Sequence, residues 1–455
     1  MKLVDCMIGA NMDRSIPPIS KQKPIFTFPI SVKRTLSNGL NVLIVHDPSS
    51  PLISISLTMR IGAVHEQISG LSRAVAGLMT AGSSTKSAEE ISSFIDRLGL
   101  SFGFYASWDA FECSAIGLSN HTQSIVNLMS ECLFDAQFPE EEIQLKKELM
   151  IAEHEQYAVD PEYLSARGSS ARMFPDHPYG QSRIGIPSSI AHINRETCRA
   201  FHQRALQASG AFFTISGNCP PDDIVNILEQ VFGHWNPIEQ EFPIPQVKYA
   251  DDIRCIIAPK ADAVQTALHI AFPSIGMHHP DYPLFRVAST AFGGYFASHI
   301  NHVLREVHGY TYGAFAQSYG RKGSNTYNIQ TQVGNEVTEH SIALIFQELK
   351  KMREEMLTEE ECETVINYLL GTLIQGMETN QQLSSRLKMI EFNYLPDDYH
   401  KNLFETIAQA DRNRIFRIQQ EYFHPQHCII SASGLQEVLE PILSTYGETI
   451  LFQES

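Results

Sequence analysis

The chain has 455 residues, a length that suggests roughly two to four domains. It carries 34 basic against 51 acidic side chains and a net charge of −17. This balance argues against nucleic acid as a partner, because an acidic surface repels phosphates.

The cysteines and the first residues predict the compartment. The eight cysteines form no Cys-x-x-Cys pair and are sparse for a disulfide scaffold, so we expect free thiols in a reducing compartment. The first residues contain neither the apolar core of a signal peptide nor the arginines of a transit peptide. No run of about 18 apolar residues is present, which predicts no membrane span. We therefore predict a cytoplasmic protein.

The first elements have the pattern of strands followed by a helix. Residues 32–61 contain apolar runs separated by Asn38-Gly39, a dipeptide typical of a two-residue hairpin turn. Apolar residues then recur at helical spacing over residues 70–79.

Capped helices and further strands complete the first half. Ser87 and Glu90 form a capping box at the start of one helix, and Gly99 stands where a helix end favours glycine. Two strands and two helices are predicted over residues 101–157, followed by a buried strand and a short helix. Residues 237–246, rich in proline and charge, are predicted to be a linker.

The order of elements after the linker repeats the order before it. Three pairs of equivalent positions have nearly one offset: Ser124 and Ser341 by 217, Glu142 and Glu361 by 219, and Gly217 and Gly434 by 217. This agreement indicates a tandem duplication of an α+β unit of about 215 residues, with two unrelated α+β domains as the alternative. We predict homologous domains over 24–236 and 247–455, each with a mixed or antiparallel sheet and helices packed on one side.

The duplicated unit resembles the pitrilysin/insulinase family of zinc peptidases, which includes the mitochondrial processing peptidase. The likeness covers nearly the whole chain from Val32, and its most specific segment is FGGYFASHINHVLREVHGYTYGAFA, residues 292–316. It implies that this chain forms half of a clamshell, with a homologous partner subunit and a peptide substrate. The non-catalytic subunit of the processing peptidase is a weaker match, because its long glycine-rich loop corresponds here only to Gly293-Gly294.

The resemblance also locates a lost metal motif. Catalytic members carry His-x-x-Glu-His, in which the two histidines bind zinc and the glutamate activates the zinc-bound water. Here Arg73 and Gly77 take the histidine positions and Ala76 takes the glutamate position. Glu153, 76 residues after Gly77, matches the third ligand. One carboxylate does not hold zinc, so the resemblance implies zinc in the partner subunit and none in this chain.

A substrate-binding pair is kept in the second half. Family members use an Arg and a Tyr seven residues apart to bind substrate near the metal of the facing part, and Arg305 and Tyr312 have that spacing. A tyrosine hydroxyl can donate to a developing oxyanion. The alternative is that Arg305 pairs with Glu306 or Glu339 and that Tyr312 fills the core.

These features predict a non-catalytic, substrate-binding subunit of a heterodimeric zinc metalloendopeptidase. One alternative is a purely structural or assembly homologue, like the zinc-free members of respiratory complexes. Another is a lone hydrolase with a relocated metal site, for which two groups offer side chains: His65-Glu66 with His154-Glu155, and the helix face of His299, His302 and Glu306.

Two expectations concern surfaces of the chain. The strand within residues 100–107 would be the edge strand to which peptide adds in catalytic relatives. The isolated chain could also pair with itself as a homodimer.

Overall fold

Two six-stranded mixed sheets form the framework of the computed structural model, which describes residues 27–235, 241–249, 254–424 and 428–454. The strands of the first sheet are β1 (Val32–Thr35), β2 (Asn41–His46), β3 (Leu52–Met59), β4 (Ser101–Ala106), β5 (Phe111–Leu118) and β6 (Phe212–Gly217). Those of the second are β7 (Arg254–Pro259), β8 (Gln265–Pro273), β9 (Ala314–Arg321), β10 (Ser324–Gly334), β11 (Ile429–Gly434) and β12 (Glu448–Leu451).

The two sheets share one strand order, as the predicted duplication requires. The first runs β1-β2-β6-β3-β5-β4 and the second β12-β7-β11-β8-β10-β9. In both, the second and third strands are parallel and the remaining inner pairs are antiparallel. Only the first strand differs, because β1 lies antiparallel to β2 in a hairpin whereas β12 lies parallel to β7.

Helices follow the same duplicated order. The first half contains α1 (Leu71–Leu78), α2 (Ala88–Leu98), α3 (Thr122–Phe134), α4 (Glu140–Tyr157), α5 (Pro161–Met173), α6 (Pro187–Ile190), α7 (Arg195–Gln207) and α8 (Pro221–Phe232). The second contains α9 (Tyr282–Ser289), α10 (His299–Asn301), α11 (Thr338–Glu354), α12 (Glu359–Gln375), α13 (Asn380–Phe392), α14 (Tyr399–Ala408), α15 (Arg412–Tyr422) and α16 (Gln436–Leu443).

Local signals in the sequence are confirmed by backbone geometry. Gly39 has a φ of 87° in the turn between β1 and β2. Ser87 accepts the N–H of Glu90 at 3.2 Å, and Gly99 has a φ of 62° at the end of α2. The glycines thus stand where only a residue without a side chain adopts the left-handed region at little cost.

One helix of each half packs on the sheet of the other half, which the sequence did not predict. Helix α5 lies against β7, β8 and β11, and α13 lies against β2, β3 and β6. Side chains alternate along a strand, so Ile256 of β7 joins the cluster that contains Met173 of α5, while Cys255 and Ile257 face the other helices. Each sheet therefore has helices on one face and one exchanged helix on the other.

Two helices of the second half continue into wider, π-helical turns. Residues 290–294 continue α9, and residues 302–307 continue α10, with π-helical geometry. The i, i+3 and i+7 spacing assumed for His299, His302 and Glu306 therefore does not describe one regular α-helical face.

The linker prediction falls partly on residues 237–240, which lie outside the described ranges. Residues 241–249 contain no helix or strand, and the carbonyl oxygen of Phe242 lies 3.0 Å from Nε2 of His65. The exact domain boundaries stay a prediction.

The cysteines and helices of the described ranges bear on the predicted compartment. All cysteines there are free and buried, while Cys6 lies outside them. Over the same ranges, no helix has both the length and the apolar character needed to cross a bilayer.

Candidate functional site

The start of α1 is fixed by a buried carboxylate. Gly70 precedes the helix with a φ of 88°. The side chain of Glu66 accepts the backbone N–H groups of Gly70 and Ser72, each at 2.7 Å. Burial raises the pKa of Glu66 to about 7, although these two hydrogen bonds oppose the shift. The carboxylate therefore satisfies two helix-start donors and sets the direction in which α1 presents its side chains.

Arg73 of α1 and Glu153 of α4 meet in an ion pair. Their Nη2 and Oε1 atoms are 2.7 Å apart, and the two side chains are only 27% and 30% exposed. The structure thus brings together two of the positions that the sequence resemblance selected. The guanidinium, which has no lone pair to offer a metal, takes up an oxygen of the carboxylate that matches the third ligand.

Lys146 of α4 occupies the space beside Gly77. A Cβ atom at Gly77 would lie 2.7 Å from the Lys146 amine nitrogen. Desolvation lowers the pKa of Lys146, and so does the nearby charge of Arg73, while Glu153 opposes both. Lys146 was not selected from the sequence, although it precedes Glu153 by seven residues and therefore shares its helix face.

The paired positions show how the two helices cross. As α1 advances from Arg73 to Gly77, the partner on α4 moves back from Glu153 to Lys146. The helices therefore run in opposite directions. Ala76 is buried at 5% exposure, so the position of the expected catalytic glutamate belongs to the hydrophobic core.

The three side chains at this position have the same net charge as the zinc site that the resemblance implies. Arg73, Lys146 and Glu153 together carry a net charge of about +1 at neutral pH. A zinc ion with two neutral histidines and one glutamate carries the same total. Arg73 and Lys146 thus supply the positive charge that zinc would supply, but neither side chain can activate water as a Lewis acid.

Two histidines of the alternative metal sites, His65 and His299, have other partners. No group of three His, Cys, Asp or Glu side chains within the described part of the chain is arranged to hold a metal ion. His65 accepts the N–H of Gly62 through Nδ1 at 3.1 Å. The Nε2 atom of His299 lies 3.1 Å from Glu361 on α12.

Arg305 lies in the π-helical turn that follows α10. Its side chain is 33% exposed, and its Nε atom lies 3.6 Å from Glu306. The guanidinium carbon lies 4.4 Å from the centre of the Phe296 ring. Its Nη1 atom is buried without a hydrogen-bond acceptor in the part of the chain that the structure describes. The ring and the carboxylate hold the side chain in place while one donor stays unused.

Tyr312 projects from the loop before β9 and is 95% exposed. The alternative that it fills the core is therefore wrong, whereas the pairing of Arg305 with Glu306 is present. Tyr312 stands at the rim of a cavity of about 540 Å³ whose wall also includes Glu162 of α5 and His269 of β8. No hydrogen bond holds the Tyr312 hydroxyl to any described residue, so it is accessible to a ligand.

Strand β4 is the last strand of its sheet, as the sequence predicted. It contacts α1, and its terminal residue Ala106 accepts a hydrogen bond at 3.1 Å from Arg183. Desolvation lowers the pKa of Arg183, and the nearby charge of Arg73 lowers it further, while Glu66 and Glu153 oppose these effects. A strand edge with no neighbouring strand among the described residues therefore lies next to the site that Arg73 and Lys146 fill.

Comparison with known families covers most of the chain. Residues 41–185 match the sequence profile of the insulinase family (peptidase family M16). Residues 192–369 match the profile described as the peptidase M16 inactive domain.

Relatives and solved structures give the same result. An uncharacterized zinc protease of Mycobacterium leprae is 23% identical over 83% of this chain and 85% of its own length. One of Bacillus subtilis is 22% identical over 85% of this chain and 94% of its own. The crystal structure of a peptidase M16 inactive domain from Pseudomonas fluorescens aligns with a TM-score of 0.83 at 20% identity, covering 89% of this chain and 98% of that one.

Proposed function

Because this chain belongs to the insulinase family of peptidases (M16), we propose that it is the non-catalytic, substrate-binding subunit of a heterodimeric zinc endopeptidase. The ion pair between Arg73 and Glu153 carries this proposal. A partly buried guanidinium at hydrogen-bond distance neutralises the only carboxylate of the expected ligand set, and Lys146 fills the remaining space. The homologous partner would hold the zinc.

Retention of the second-half pair supports a role in substrate binding. Arg305 keeps an unused buried donor, and Tyr312 keeps an exposed hydroxyl. A side chain that served only packing would gain stability from burial, which Tyr312 lacks. In the assembled enzyme, Tyr312 would donate to the developing oxyanion and Arg305 would bind the peptide backbone near the partner's zinc.

Reconstitution with a homologue that carries intact His-x-x-Glu-His tests this function. The lone chain should contain no stoichiometric zinc and cleave no peptide, whereas the mixture should cleave it. Tyr312→Phe and Arg305→Ala should each lower kcat by about 10- to 100-fold, since both groups act mainly on the transition state. Metal content is measured by elemental analysis and cleavage with a quenched fluorescent peptide.

Matched controls separate this role from general damage. Tyr394→Phe removes another exposed hydroxyl, and Arg417→Ala removes an exposed arginine of α15. Both should leave the activity of the mixture unchanged. Full activity of the Arg305 and Tyr312 variants would reject the substrate-binding role in favour of a purely structural subunit. Robust cleavage by the lone chain would reject the helper role altogether.

A further inference from the structure

A cavity of about 400 Å³ opens between helices α9, α12, α13 and α14 and strand β9. Arg286, Arg386, Tyr282, Tyr368 and Tyr399 line it, and we call it the arginine pocket. Among the residues that the structure describes, no Asp or Glu is part of its wall. Four other cavities of the described ranges each include a carboxylate: Glu162, Glu112, Glu241 and Asp109. An acid-free pocket with two arginines stands apart in a chain of net charge −17.

The charges of the two arginines act on each other, and neither side chain forms an ion pair with an acidic residue of the described ranges. The side chain of Arg286 has no hydrogen bond or ion pair with any residue in the described ranges, although its backbone carbonyl accepts a hydrogen bond from Ser289. Arg386 donates through Nε to the carbonyl oxygen of Gly376 at 3.3 Å. Desolvation lowers the pKa of Arg386, the charge of Arg286 lowers it further, and only Tyr399 opposes these effects. Two partly buried like charges are costly unless an anion neutralises them.

The other residues of the pocket wall indicate which kind of molecule would bring the anion to the two arginines. Met277, Leu369, Met389 and Leu403 provide an apolar surface beside the arginines, so a small inorganic ion would leave that surface uncovered. Residues 316–318 of β9 also line the pocket, and β9 is the edge strand of its sheet. An edge strand offers unpaired backbone groups to which an extended peptide can add.

We propose that the arginine pocket binds the C-terminal carboxylate of a peptide that lies along β9. Arg286 would form the principal ion pair, Arg386 and the tyrosine hydroxyls would complete the donor set, and the apolar wall would take the last side chain of the peptide. This inference rests on the proposed function, because it names peptides with a free C-terminus as the class that the subunit selects.

Binding to the isolated chain tests the pocket without a partner. The probe is a decapeptide with an N-terminal fluorescein and a leucine as its last residue, prepared with a free carboxylate and as the C-terminal amide. By fluorescence anisotropy, the amide should bind at least about tenfold more weakly. Arg286→Gln should weaken binding of the free-carboxylate peptide by a similar factor, while Arg286→Lys should restore part of it. The exposed control Arg417→Gln should bind like the unaltered chain.

Three outcomes would overturn the inference. These are equal binding of the two peptides, unchanged binding by Arg286→Gln, and displacement of the peptide by inorganic phosphate at concentrations at which acetate has no effect. The last would show a phosphate site instead. Because the Arg286 side chain makes no hydrogen bond with any described residue, its replacement should preserve the fold, and circular dichroism verifies this.

Failure of this inference is distinguishable from failure of the proposed function. In the reconstituted enzyme, Arg286→Gln should raise KM for peptides with a free C-terminus and leave kcat unchanged, because it removes binding away from the reacting bond. The variants at Arg305 and Tyr312 should lower kcat for free and amidated peptides alike. Loss of the first effect with retention of the second would reject only the arginine pocket.

Discussion

Glu153 should stabilise the fold more than Arg73 does, although the two form one ion pair. Glu153 is the carboxylate whose charge acts on both Arg73 and Lys146. Glu153→Gln leaves two cations side by side with no compensating charge. Arg73→Gln leaves Glu153 with Lys146, which can move toward it because the amine ends a flexible side chain.

The magnitude follows from the geometry. Two unit charges about 4 Å apart attract by about 4 kcal/mol at an effective dielectric constant of about 20. Desolvation and the partial exposure of both side chains reduce the net value to roughly 1–2 kcal/mol. Without Glu153, the repulsion between Arg73 and Lys146 adds to the loss of the ion pair. We therefore expect Glu153→Gln to lower the free energy of unfolding by about 2–3 kcal/mol. Arg73→Gln should lower it by about 1 kcal/mol.

Urea unfolding of the single variants and the double variant measures these values. The control Glu155→Gln alters an exposed neighbour on α4 and should have an effect within about 0.5 kcal/mol of zero. In about 1 M salt the difference between the two single variants should shrink, since exposed parts of the cluster are screened. If Arg73→Gln destabilises the chain as much as Glu153→Gln, Lys146 does not share the carboxylate and the charge argument fails.

Two further predictions concern metal binding and pH. Rebuilding the lost motif should give stoichiometric zinc only when Lys146 is also replaced, because its amine occupies the space beside residue 77. Elemental analysis compares the triple variant Arg73→His/Ala76→Glu/Gly77→His with the same variant carrying Lys146→Ala. Equal zinc in both would contradict this. Burial lowers the pKa of His269 to about 4. Below about pH 6.5 the unfolded chain therefore binds a proton at this residue that the folded chain does not. His269 thus contributes roughly 2 kcal/mol to the loss of stability as the pH is lowered from 7 to 5. In unfolding measurements across this range, His269→Gln should reduce the decline by about 2 kcal/mol and leave the share of other buried histidines such as His400. The exposed control His302→Gln should show the full decline; parallel curves for all three proteins would refute the assignment.

Local chemistry explains which parts of the fold the sequence predicted well. The hairpin at Asn38-Gly39 and the capped helix from Ser87 to Gly99 depend on side chains within a few residues of the backbone they stabilise. Such signals act in any tertiary setting. The duplication was likewise visible, because equivalent elements kept their spacing and their apolar pattern.

The wider turns after α9 and α10 have no signal in the local sequence. The shared face proposed for His299, His302 and Glu306 assumed an ordinary helix, but a single residue's shift in hydrogen bonding depends on packing against neighbouring elements. In the first of these turns, a Cβ atom at Gly293 would lie 2.5 Å from the Cβ atom of Ala316 on β9. That close approach is a contact between distant parts of the chain.

The sequence by itself determined the family, the duplicated α+β order and the residues that replace the metal ligands, because each depends on residue type and spacing. Only the tertiary structure decided that α5 and α13 exchange sheets, that Lys146 covers Gly77 and that two arginines share one acid-free pocket. These features join residues far apart in the chain. Their energies come from burial and from charges brought close together, which residue order does not specify.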